Sequence, residues 1–225
     1  MDKKVDVILP MRAGSQRIVN KNVRPLNGIP LYKYIMNTLL DTKLVDKIVI
    51  NTDIQKILDE YKNNSKIITI PRSENLRENV NMNWVIEDTI NKTGGNHFLQ
   101  LHATSPLLTK ETIHDAIITY FKNLGLYDSL FSVTEKQMRY FDKNWKPINH
   151  KLTDAPTTQD LDVWYEENCI LYLFSRNSFN KNKHRIGEKP YLYKTRLVES
   201  VDLDTEEEFK LAELLLRAKS LQHII

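Results

Sequence analysis

The chain has 225 residues, 41% of them apolar and 27% charged, with 32 Lys and Arg against 29 Asp and Glu for a net charge of +3. That length and balance give ample surface for a buried core and exclude disordered, collagen-like and coiled-coil architectures. The near-neutral total argues against a dedicated nucleic-acid binder, no run reaches the ~18 apolar residues of a membrane span, and the single cysteine, Cys169, excludes an internal disulfide framework and a Cys-rich zinc site.

In chain order, Met1 to Lys4 run straight into an apolar strand at Val5–Leu9, without the longer apolar region of a signal peptide. A reducing, cytoplasmic setting is the expectation. Leu31, Ile35 and Leu39 step by four, as on one face of a helix. Strands follow at Lys47–Asn51, Lys66–Ile70, Phe98–Leu101, Ser129–Val133 and Ile170–Phe174. Between them lie amphipathic stretches: Ile54, Ile57, Leu58 and Tyr61; Met82, Val85, Ile86 and Ile90; then Ile113, Ala116, Ile117, Tyr120 and Phe121. The alternation predicts an α/β fold, a mostly parallel sheet with helices on both faces. Ligands of such sheets collect at the carboxyl ends of the strands. Residues 1–225 are read as one domain. The alternation breaks from about 134 to 168, where Trp145, Pro147, Pro156 and Trp164 suggest a projecting arm and a dimer contact. Pro190 is read as a turn. Phe209, Ala212, Leu215 and Leu216 mark a last helix.

Two motifs carry chemistry. From Val7 to Leu40 there is no acidic residue, while Arg12, Arg17, Lys21, Arg24 and Lys33 are present. Within this stretch Ala13, Gly14 and Ser15 are small enough for a backbone to approach a ligand closely. Backbone N–H groups and fixed cations at a strand's end make an anion cradle, read here as a triphosphate site; a solvated basic loop is the alternative. No Gly-Lys-Ser/Thr completes an ATPase P-loop, and Gly14 lacks the partner glycine of a dinucleotide fingerprint. The second motif is Ser200-Val201-Asp202-Leu203-Asp204-Thr205. On a strand, Asp202 and Asp204 would face one side and share a Mg²⁺ ion. Alternatively, Asp204 or Thr205 caps the helix beyond, with Glu206, Glu207 and Glu208 at its positive end. Asp53 is read as a helix cap. The six histidines show no metal-ligand spacing, although His102 follows a strand at its carboxyl end. Cys169 is read as a small core residue.

The run Leu9-Pro10-Met11-Arg12-Ala13-Gly14-Ser15-Gln16-Arg17-Ile18, with Lys21-Asn22, resembles the first motif of the acylneuraminate cytidylyltransferases, the CMP-sialic acid synthetases, which have the CMP-KDO synthetases as relatives. Thr52-Asp53, Ile70-Pro71-Arg72, Thr104-Ser105-Pro106-Leu107, Asn168 with Tyr172, and Ser200 to Thr205 follow in the family's order. The resemblance implies a Rossmann-like core, a dimerisation arm, and CTP and Mg²⁺ as requirements. It assigns Arg12 and Lys21 to the triphosphate as the catalytic cations, and Ala13, Gly14, Ser15, Asn22 and Arg72 to the nucleotide. Asp202 and Asp204 would hold the metal, and Thr104 and Ser105 would lie near a sugar acid.

Three positions depart from that pattern. His102-Ala103 replaces a common Gln-Pro, Glu166-Glu167 replaces Arg-Pro before Asn168, and Thr158 replaces an Arg before Gln159. His102, Gln159, Glu166 and Asn168 are thus expected around the acceptor. With two cations missing there, the acceptor is expected to be a sialic-acid-like or other 3-deoxy-2-ulosonic acid, with N-acetylneuraminic acid a poor substrate; alternatively, Glu166 points to solvent or pairs with Arg185 or Lys189 and leaves the pocket ordinary. The competing functions are a nucleotide-sugar glycosyltransferase, whose Asp-x-Asp usually sits mid-chain, and a nucleotide-binding module without catalysis.

Overall fold

A computed structural model describes residues 3–15, 17–77, 80–154 and 156–220, so Gln16 of the first motif and both chain ends lie outside it. The first half of the chain contains β1 (Val5–Met11), a hairpin of β2 (Pro25–Leu26) and β3 (Ile29–Pro30), and α1 (Leu31–Leu40). These lead into β4 (Val45–Thr52), α2 (Gln55–Tyr61), β5 (Ile67–Pro71), α3 (Met82–Asn91), β6 (His97–Leu101) and α4 (Lys110–Asn123). The second half has β7 (Ser129–Lys136), β8 (Trp164–Ser175), α5 (Arg176–Asn182), β9 (Pro190–Lys194) and α6 (Glu206–Ser220).

Seven strands form one sheet in the order β5-β4-β1-β6-β8-β7-β9. Only β8 runs antiparallel to its neighbours, so the other six share one direction. Every residue of β1 is buried. A strand paired on both edges and covered on both faces must be apolar throughout. Val7, Leu9 and Met11 face a core built with Tyr32, Ile35 and Met36 of α1 and Ile113 and Ile117 of α4. Ile8, on the opposite face, packs with Ile86 and Ile90 of α3 and with Phe98, Tyr172 and Phe174. The expected α/β layering is therefore present, and the chain reverses its direction of sheet building beside β1. That is where such sheets open a crevice.

A third, smaller core sits apart from the sheet. Ile18, Leu26 and Leu31 from the start of the chain meet Leu203, Phe209 and Ala212 from its end. The hairpin turn supports this seam. Asn27 and Gly28 have φ of 48° and 83°, the paired positive values of a type I′ turn, for which Asn-Gly is the favoured sequence. Asn27 then donates to the Glu213 carbonyl and accepts from Arg217, both on α6.

Several expectations are corrected. Pro190 does not turn the chain; it begins β9, an outermost strand whose first residue can lack an N–H. Strands β7 and β8 are longer than their apolar runs, so the excursion spans 137–163 rather than 134–168. It holds one isolated bridge, Phe141 to Pro147, and leaves Trp145 87% and Leu152 68% exposed. Asp202 and Asp204 are not on a strand: residues 201–204 are extended but unpaired. Cys169 is exposed, not core. Phe131 pairs with Tyr172 and Val133 with Glu167, so 168–171 face Ser132 alone and bulge, with Cys169 at φ 59°.

The seam makes a stability prediction. Phe209 is 2% exposed and carries the Arg24 guanidinium 4.3 Å from its ring centroid. Phe209→Ala should cost about 3–5 kcal/mol in denaturant unfolding. A loss below about 1 kcal/mol, the range of surface substitutions, would show that the seam is not a packed core.

Candidate active site

The chain leaves β1 at Met11 and enters the acid-free loop. Two bonds hold its backbone out over the sheet edge. The Ala13 amide donates to Asp53 Oδ1 at 2.7 Å, and Asn22 Nδ2 donates to the Arg12 carbonyl at 2.9 Å. Asp53 therefore anchors the loop and does not cap α2, whose Ile54 amide bonds instead to Thr52 Oγ1. Ile18, 1% exposed, plugs the loop into the third core. Lys21 follows on a single 3₁₀ turn. Its ammonium donates to the Leu203 carbonyl at 2.7 Å and to Asp204 Oδ1 at 2.9 Å, and Arg17 pairs with the other Asp204 oxygen.

Of the two residues offered as the helix cap, the geometry selects Thr205. Thr205 Oγ1 accepts from the Glu208 amide, and Glu208 Oε2 accepts from the Thr205 amide at 2.7 Å. This is a reciprocal capping box, so the Asp204 carboxylate has no capping duty. Leu203 points fully into the third core while Asp202 and Asp204 stay partly exposed, as alternation along an extended segment requires. Burial, and then the Asp204 charge, push the Asp202 carboxyl up from its ordinary value. Burial acts upward on Asp204 too, but Lys21 and Arg17 outweigh it and hold that carboxyl down. No group of three or more His, Cys, Asp or Glu that could hold a metal occurs among the described residues. Two carboxylates beside a phosphate-sized space nonetheless fit Mg²⁺, which accepts one or two carboxylates and completes its shell with phosphate oxygens and water.

A cleft of about 370 Å³ joins these parts. Arg12, Ser15, Lys21 and Asn22 line it from the first loop, and Asp202 and Asp204 from the last segment. Arg72, at the end of β5, adds a guanidinium that is 5% exposed and fixed by Asn51, from Nε to Oδ1 and from Nη2 to the carbonyl, both 3.0 Å. His102, Thr104 and Ser105 follow β6 and form another wall. Burial, then the Arg185 and Lys21 charges, push the His102 imidazole down to about 3. Across from it stands the β8 bulge. Asn168 spends its amide inside the protein: Oδ1 accepts from Ser132 at 2.6 Å, and Nδ2 lies within 3.2 Å of Thr134, Thr195 and Ser200 hydroxyls. Asn168 thus shapes the bulge that presents Cys169 and Ile170 to the cleft.

Of the sequence-derived candidates, Ala13 and Gly14 lie exposed on the same loop, with Gly14 free of any atom within 4 Å of a built Cβ. Gln159 and Glu166 do not reach the cleft within the chain. Gln159 lies exposed on the excursion, its carbonyl bonded by Gln137. Glu166 is exposed on β8 and pairs with Lys136 at 3.4 Å, not with the Arg185 or Lys189 considered as its partners from sequence. A cation not anticipated from the sequence, Arg185, enters the cleft from the loop between α5 and β9. Sequence reasoning missed Arg185, Gln100 and the anchoring role of Asp53. The one available signal was a lone Arg following a strand and a short helix, and that pattern is not distinctive.

Comparisons with known proteins identify the family. The family model described as Cytidylyltransferase matches residues 7–223. The CMP-N,N'-diacetyllegionaminic acid synthase of Legionella pneumophila is 28% identical over 230 residues, covering 95% of this chain and 96% of its own. Post-translational flagellin modification protein B of Campylobacter coli is 25% identical over 223 residues, 94% of each chain. Among solved structures, CMP:2-keto-3-deoxy-manno-octonic acid synthetase complexed with CTP superposes with a TM-score of 0.68 at 10% identity, over 96% of this chain and 99% of that one. That likeness establishes the fold, and the family match covers both cleft-forming ends of the chain. The chain belongs to the cytidylyltransferase family and is an enzyme of the CTP-dependent nucleotidyltransferase class.

Proposed function

We propose that the protein transfers CMP from CTP to a 3-deoxy-2-ulosonic acid and releases pyrophosphate. One observation carries the reading: Arg12, Lys21 and Arg72 converge with Asp202 and Asp204 in a single cleft at the carboxyl ends of the strands. The acceptor hydroxyl oxygen bonds to the α-phosphorus, the bond from that phosphorus to the pyrophosphate oxygen breaks, and the hydroxyl proton passes to water. Arg12 and Lys21 stabilise negative charge growing on the transferring group and on pyrophosphate. Ser15 and Asn22 border the triphosphate, and Arg72 holds the nucleotide side. Mg²⁺ bound at Asp202 and Asp204 would neutralise phosphate charge and align the reacting groups. Thr104 and Ser105 border the sugar acid.

Lys21 and Arg17 are paired with Asp204. A triphosphate offers these cations a stronger partner, so its entry frees the Asp204 oxygens as the nucleotide docks. The reading includes a homodimer formed through the excursion 137–163. Its support is the exposure of four large apolar side chains on this one excursion, Met138, Trp145, Ile148 and Leu152, a concentration that marks interfaces when it forms a patch. It also includes a cytoplasmic location, in keeping with an exposed, unpaired Cys169. Pyrophosphate release with CTP, Mg²⁺ and a panel of N,N'-diacetyllegionaminic, pseudaminic, N-acetylneuraminic and KDO acids tests the reaction. Release requiring both CTP and one of the acids supports it, and CTP binding without turnover on any acid contradicts it.

Three further outcomes follow. Arg12→Ala and Lys21→Ala should each lower kcat on the order of 10²–10³-fold, with folded protein retained in a thermal melt. Near-normal kcat in both variants would remove them from the phosphate site.

Asp202→Asn and Asp204→Asn should each move the rate to higher Mg²⁺ concentration, while α6 stays capped by Thr205 and Glu208. Unchanged Mg²⁺ curves in both variants would end the metal assignment.

His102 should remain neutral at pH 5, its ring resonances flat from pH 8 to 5 by NMR, because its folded value of about 3 lies below the ordinary 6.5. The unfolded chain gains the proton first, so His102 costs no stability above about pH 6.5 and a growing amount as pH falls toward 3. His102→Gln should then lose less stability than the parent between pH 7 and 5. An ordinary titration near pH 6.5 would contradict the half-buried, cation-flanked position.

A further inference from the structure

Four cations line the cleft, and three of them belong to its nucleotide half. The fourth, Arg185, stands on the side of His102, Asn168 and Cys169. Its guanidinium lies 3.6 Å from the Tyr172 ring centroid, a stacked contact that fixes the plane of the group. Nη1 donates to Gln100 Oε1 at 2.6 Å. Gln100 is itself fully buried and held by its own amide, which donates to the Leu101 carbonyl at 3.0 Å and lies 3.1 Å from His102 Nε2. The Arg185 backbone amide donates to Asn83. The side chain is 14% exposed, so little beyond its cleft edge meets solvent.

This guanidinium is oriented but not saturated. It carries five N–H donors, of which, among the described residues, one goes to Gln100. Glu167 Oε1 lies 3.9 Å from Nη2, beyond hydrogen-bond reach, and already accepts from the Tyr172 hydroxyl at 2.5 Å. A planar, pre-oriented fork with free donors facing a cleft matches a carboxylate in bidentate geometry. The neutral His102 beside it leaves Arg185 as the cation on this wall. We infer that Arg185 is the specificity-determining residue for the acceptor, binding the C1 carboxylate of the sugar acid while Tyr172 and Gln100 hold its plane. The inference rests on the sugar-acid reading above.

The test pairs a residue with the group it reads. The acid that the parent enzyme turns over fastest and its methyl ester are assayed against the parent, Arg185→Gln and Arg185→Lys, with CTP binding measured in parallel. Esterification should lower kcat/KM of the parent on the order of 10²-fold, the size expected for loss of a desolvated charge pair. Arg185→Gln should lose about as much on the acid, through acceptor KM, and little more on the ester, while its affinity for CTP is unchanged. Arg185→Lys, which keeps the charge but not the fork, should fall between. Equal losses on acid and ester in Arg185→Gln, or a loss confined to CTP affinity, would overturn the assignment. If Arg185→Gln unfolds, the acid-to-ester ratio of Arg185→Lys decides, because a purely structural arginine leaves that ratio at the parent value. Failure of the parent on every acid would instead contradict the proposed reaction, and CTP binding would still show an intact nucleotide half.

Discussion

The Lys21 ammonium bonds to the carbonyl of Leu203 and the carboxylate of Asp204, which lie 182 and 183 residues along the chain. The proposed site depends on that closure. The first loop holds cations without acids, and the last segment holds carboxylates that need a cation. Neither is a site alone. Apolar packing brings them together, since burying Ile18, Leu26, Leu203 and Phe209 is worth roughly 1.5–3 kcal/mol per side chain. The exposed Arg24–Glu206 pair across the same seam is screened by solvent and contributes little. Hydrophobic burial therefore docks the ends, and the ion pairs set which groups face one another.

The sheet supplies the other half of the arrangement. Parallel strands β1, β4, β5 and β6 end on one side, so the groups that follow them, Arg12, Asp53, Arg72 and His102, gather along one rim. The antiparallel β8 meets this rim at mid-strand, where Leu101 pairs with Leu171, and there it bulges. The Asn168 amide keeps the bulge in place through four hydroxyl partners. The resulting cleft carries Arg12, Lys21 and Arg72 together with His102, Asn168 and Arg185, and of its two aspartates Asp202 has its carboxyl raised and Asp204 has it lowered.

Much of this was legible locally. Strand β1 announced itself by an unbroken apolar run, and α1, α3 and α4 by their three- and four-residue steps. The acid-free stretch identified the cation loop, because clustering of one sign is visible without a fold. What escaped was set by topology. Seven residues of α5 return the chain by about 10 Å alongside β8, the span of three strand residues. Phe179 thereby meets Phe174, and Arg185 comes to lie over Tyr172. No periodicity records such a return, so nothing in the sequence signalled that Arg185 lines the same cleft as His102 and Asn168. Glu166 was misplaced for a related reason: strand alternation puts it on the surface beside Lys136, and the bulge that begins at Asn168 cannot be seen in sequence. Asp53 looked like a cap because it precedes a helix, yet its carboxylate serves a loop 40 residues earlier.

The central claim is that one ligand is held by both ends of the chain. Amide hydrogen exchange on the intact protein, with and without CTP and Mg²⁺, tests it most directly. The account predicts that residues 12–22 and 201–205 gain protection together and at the same nucleotide concentration, with the excursion 137–163 unaffected. Protection confined to one of the two segments, or appearing at different concentrations in each, would contradict it.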